Sequence, residues 1–142
     1  MRGLACVLAI APLLAGCATV APCVPIAPHS LPNGAGPGAP VVATESGATV
    51  ARWGGGENLV SQRVVTMTTS DEPRCQPGEI VGPGGCYPPG DLQVRGVPAV
   101  LLPVGDQEET SWILGWGTGG CRYEVSFGRM TRAEAEAYAA RY

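Results

Sequence analysis

Three hydrophobic patterns divide the chain. Leu4 to Leu14 is an apolar run broken only by Pro12. Residues 18–40 have no periodicity and hold six prolines (22, 25, 28, 32, 37 and 40). From Val41 onward, β-branched runs alternate with glycine and proline turns, a pattern that predicts strands. The runs are Ala48–Trp53, Gln62–Thr69, Pro98–Val104, Thr110–Trp116 and Cys121–Phe127.

The last of these alternates strictly. Cys121, Tyr123, Val125 and Phe127 share one face, and Arg122, Glu124 and Ser126 share the other. That is the signature of a strand with one buried side. Trp112, Leu114 and Trp116 form the matching face of its neighbour, with Gly117–Gly120 as a four-residue hairpin loop. This register sets Trp116 opposite Cys121, Leu114 opposite Tyr123 and Trp112 opposite Val125. A five-residue loop, Gly105–Glu109, then sets Val104 opposite Thr110, Leu102 opposite Trp112 and Val100 opposite Leu114. The expectation is a three-stranded antiparallel meander over about 98–127.

Thr131 with Glu134 three residues later is a capping-box pattern, and an alanine-rich run without Gly or Pro follows it. A helix is predicted over 132–141. The fold class expected is mainly β: a small antiparallel sheet with a C-terminal α-helix, spanning 41–142. Residues 17–40 are expected to be a disordered, proline-rich tether. In an extended polyproline conformation, residues 18–40 reach roughly 70 Å, less where Asn33–Gly38 is flexible.

The N-terminal run is about half the roughly 20 residues that a membrane-spanning helix needs. With Arg2 before it, the run reads as a signal peptide. It ends in Leu14-Ala15-Gly16-Cys17. This resembles the lipobox of bacterial lipoprotein precursors. The resemblance covers residues 1–17 and implies cleavage after residue 16 and acylation of Cys17. It also implies a membrane partner through the lipid and a location in the cell envelope. Ala18, where an Asp often marks inner-membrane retention, points toward the outer membrane.

Six cysteines are present. Cys6 belongs to the signal peptide and Cys17 to the lipid. The remaining Cys23, Cys75, Cys86 and Cys121 form an even set in an exported chain, which favours two disulfides with three connectivities open. Cys75 and Cys86 bracket a turn-rich segment. A bridge between them is worth on the order of 3 kcal/mol in the chain-entropy model, and it leaves Cys23 for Cys121. None of the four is spaced as a zinc pair, and the single histidine, His29, lies in the proline-rich segment. No metal or cofactor is expected.

Composition narrows the function further. Twelve acidic residues face nine basic ones, all arginine. Such a surface does not attract nucleic acid. Gly115-Trp116-Gly117-Thr118-Gly119-Gly120 matches the letters of a dinucleotide-binding turn, but a β-alternating segment follows it where that site needs a helix. Asp71-Glu72 and Asp106, Glu108 and Glu109 read as solvated loop acids, and the second group lacks an EF-hand pattern. A lone histidine in the tail argues against a Ser-His triad. No enzyme is expected. The sequence points to a non-catalytic structural or protein-interaction module of the envelope, with an envelope protein as partner. The alternative is a ligand-binding module, for instance for cell-wall glycan, with Trp53 beside Gly54-Gly55-Gly56 as an exposed aromatic contact.

Overall fold

The computed structural model describes residues 23–67, 74–105 and 110–142. Its main element is a six-stranded antiparallel sheet. In chain order its strands are β1 (Val41–Glu45), β2 (Ala48–Trp53), β3 (Val60–Thr66), β8 (Val100–Val104), β9 (Thr110–Thr118) and β10 (Cys121–Met130). Their spatial order is β1-β2-β3-β10-β9-β8. The expected meander is therefore present as β8-β9-β10, and β10 extends it by pairing with β3. Two short hairpins lie between β3 and β8 in the chain: β4 (Ile80–Gly82) with β5 (Gly85–Tyr87), and β6 (Gln93–Val94) with β7 (Val97–Pro98).

Helix α1 covers Arg132–Ala140 and begins with the predicted capping box. The Thr131 hydroxyl accepts from the Glu134 N–H, and the Glu134 carboxylate accepts from the Thr131 N–H. The Thr131 N–H and hydroxyl both donate to the Glu134 carboxylate and hold its carboxyl below the usual range. The helix presents Ala135, Tyr138 and Ala139 to the sheet. It closes a core of Trp53, Trp112, Leu114, Trp116, Tyr123, Val125 and Phe127. Trp116 stacks on Tyr123 with centroids 5.0 Å apart, and Phe127 meets Tyr138 at 4.8 Å.

The β9–β10 turn is tighter than expected. Gly119 and Gly120, at φ +60° and +80°, form a two-residue turn, the left-handed pair that a type I′ hairpin needs. Tyr123 therefore pairs with Trp116, Val125 with Leu114 and Phe127 with Trp112. The shift is two residues, so every side chain keeps its predicted face.

At β8 the shift is one residue. Leu101 pairs with Leu114 and Val104 with Ser111, so Leu101, rather than Val100 and Leu102, joins the core. The reason lies on the other face. The β4–β5 hairpin covers it, with the Pro83 ring so close to Gly115 that a Cβ there would sit 2.5 Å from Pro83 Cδ. Arg122 ties this hairpin down by donating to the Gly82 carbonyl. With apolar surface on both sides, the alternation of β8 carries no register signal.

Candidate functional site

Both expected disulfides are present. Cys75–Cys86 closes the loop that carries β4 and β5, and Cys23–Cys121 joins the N-terminal segment to the first residue of β10. Glu79 lies within 4.8 Å of Cys75 and Cys86. Their sulfurs are bonded to each other, so they offer no thiolate to a metal.

The N-terminal segment departs furthest from expectation. From Cys23 to Leu31 it lies against the domain, with Cys23 and Ile26 packed on the core and Leu31 inside it. The organising residue is Gln62, in the middle of β3 on its buried face and fully buried. Its side-chain carbonyl accepts from the Ile26 N–H at 2.6 Å, and its amide donates to the Ile26 carbonyl at 3.0 Å. One side chain thus satisfies both backbone polar groups of half-buried Ile26, as a neighbouring strand would.

The same amide donates to the Tyr142 hydroxyl at 2.8 Å, which donates in turn to the Ile26 carbonyl at 2.9 Å. Tyr138 donates to the Ser30 carbonyl at 2.7 Å. Burial raises both phenols, Tyr138 to about 12 and Tyr142 further. The expected tether is therefore corrected for residues 23–31: the prolines there shape a docked segment. The sequence does carry a flag for this, because Gln62 is the polar residue between Val60 and Val64 on an apolar face.

Trp53 also differs from expectation. It is 2 % exposed and lies in the core. Strand β2 runs up to and includes Trp53 with its indole on the buried face, and the glycines that suggested an exposed loop begin only after it. Its ring has no surface to offer a ligand, so the aromatic glycan contact is withdrawn. Cys17, Asp71 and Glu72, and Asp106, Glu108 and Glu109 lie outside the described residues. His29 is exposed on the docked segment. No described helix is long and apolar enough to cross a membrane.

Two surface features remain. A cleft of about 350 Å³ lies beside Cys121, walled by Met67, Ile80, Val81, Val97 and Pro98 and floored by Gly117–Gly120. At the far edge of the sheet, β1 pairs with β2 over all five of its residues, yet each of the five is exposed. Val41 and Val42 are the most conspicuous, 71 % and 54 % exposed. Comparison with known proteins finds no matching family model, no similar curated protein and no similar solved structure.

Proposed function

We propose that this chain is a lipid-anchored envelope protein, acylated at Cys17 and residing more at the outer than the inner membrane. Its β domain acts there as a non-catalytic structural or protein-interaction module. The docked segment is the observation that carries the reading. Because Cys23 is bridged to β10, only residues 18–22 separate the domain from the lipid. Six peptide steps span at most about 20 Å, far short of the reach a free tether would have. Two acyl chains anchor a protein stably at about 0.8 kcal/mol per buried CH₂, so the domain is held against the membrane surface.

A module held this way meets its partners at the bilayer. The exposed β1 edge and the cleft beside Cys121 are the surfaces it presents, and the acidic balance of the chain disfavours nucleic acid. The test is intact-mass analysis of the protein from its native membrane. A chain beginning at Cys17 and carrying the added mass of acyl groups is expected, and a Cys17→Ala variant partitions into the soluble fraction. A free thiol at position 17, or a chain retaining residues 1–16, contradicts the reading.

A further inference from the structure

We propose that β1 is a self-association strand that pairs antiparallel with β1 of a second copy about a two-fold axis at Ala43. The two edges of the sheet differ in how they are protected. At β8, Pro103 has no N–H to offer, and Ala99 immediately before the strand donates to the Leu92 carbonyl. Among the described residues there is no such guard within β1 itself, although Pro40 immediately precedes it. The strand is regular, contains no proline, lysine or bulge, and exposes two adjacent valines. An unguarded strand of this kind recruits another strand.

The sequence of β1 is complementary to itself in one register. Antiparallel pairing about Ala43 sets Val41 against Glu45 of the second copy and Val42 against Thr44. The β-branched Val42 and Thr44 then face one another, and no like charges lie opposite. Charge supports the same register. Arg52 is paired with Val41 across β1–β2 and binds Glu45 of its own copy at 2.9 Å. In the pair, Glu45 of the second copy falls in line with Arg52 one strand beyond Val41, about 10 Å away at the backbone and within reach of the two extended side chains. Each Arg52 is then shared between two carboxylates.

Five residues bury little area, so the pairing is weak in dilute solution and depends on confinement at a membrane, which raises effective concentration. That dependence rests on the anchored reading; the register does not. The register also fixes an orientation. Cys121 pairs with Thr66, Val64 with Thr49 and Thr49 with Thr44, so the Cys23–Cys121 bridge lies level with the β1–β2 turn. Antiparallel pairing sends the two bridges to opposite ends, and both short leashes reach one bilayer when the joined sheet lies along it.

The experiment is oxidative cross-linking of the full-length protein in its native membrane. Ala43→Cys gives a covalent homodimer as its main product, because the two sulfurs face each other across the axis. Val41→Cys alone gives at least fivefold less, because its counterpart lies roughly 14 Å along the strand, whereas co-expressed Val41→Cys and Glu45→Cys chains link to each other. Adding Val42→Pro or Glu45→Lys to Ala43→Cys reduces the dimer severalfold. Failure of Ala43→Cys to link, linking to a different protein, or equal linking by Val41→Cys overturns the proposal. The acyl mass at Cys17 is read separately, so failure of pairing and failure of anchoring are distinguishable.

Discussion

Residues 23–31 and β1 are close in the chain and opposite in character. The first stretch has no regular secondary structure and two prolines, Pro25 and Pro28, yet it is packed, hydrogen-bonded and bridged to the sheet. The second is a regular strand with a full ladder to β2, yet all five of its residues are exposed. Backbone regularity and burial are thus separate properties here. What docks the irregular stretch is a supply of partners for its peptide groups, from Gln62, Tyr138 and Tyr142. What leaves the strand bare is that nothing described covers either of its faces.

The largest effect should come from cutting the bridge that holds the docked stretch. Replacing Cys23 and Cys121 by serine removes a cross-link spanning 98 residues, worth about 5 kcal/mol in the chain-entropy model. Urea unfolding of the oxidised parent and the variant measures it. A loss under about 1 kcal/mol, within the low end of the range for such bridges, would mean that residues 23–31 add little to the fold.

Gln62→Leu should follow, at about 2–3 kcal/mol. It keeps the side chain's bulk but strips the Ile26 N–H of its partner and Tyr142 of its donor. Hydrogen exchange at the Ile26 amide should accelerate more in this variant than that at core amides such as Leu114, which follows only the global loss.

A smaller effect concerns pH. Burial raises the Tyr138 phenol to about 12 and the Tyr142 phenol further. A raised phenol favours the fold fully below its unfolded value, near 10, and loses that advantage as pH climbs through the folded value. Stability should therefore fall with alkalinity from pH 10 upward, through 12. Tyr142→Phe should flatten that decline and cost about 1 kcal/mol at neutral pH. A chemical-denaturation series against pH reads both.

The smallest effect belongs to β1. Val42→Thr should change the stability of the monomer by no more than about 0.5 kcal/mol, as for other exposed positions. A loss several times larger would show that β1 is covered by residues beyond those described, and the contrast would collapse.

Much of the fold was legible because its signals are local or alternate on a single face. The β10 alternation, the Thr131–Glu134 cap and the even cysteine set each led to the observed element or bridge. Reading failed where a second layer intervened. β8 slipped by one residue because Pro83 and its hairpin make both of its faces apolar. β1 gives no signal in the sequence because Val41-Val42-Ala43-Thr44-Glu45 neither alternates nor buries anything, although Ser46-Gly47 after it is a hairpin turn with both residues at positive φ. Trp53 reads as a loop neighbour because three glycines follow it, although it ends β2 on the buried face.

The docking of residues 23–31 was hidden for a different reason. It depends on side chains 36 to 116 positions away in the chain. Proline content alone suggested a tether, and no local rule connects Ile26 with Gln62 and Tyr142.

On the proposed function, the docked segment and a short leash hold the domain directly against the membrane. Neutron reflectometry of the purified lipidated protein on a supported bilayer measures this. Protein density should begin at the headgroups, with any hydrated gap under about 20 Å. A solvent-rich layer several times deeper, approaching the roughly 70 Å available to a free 18–40 tether, would contradict it.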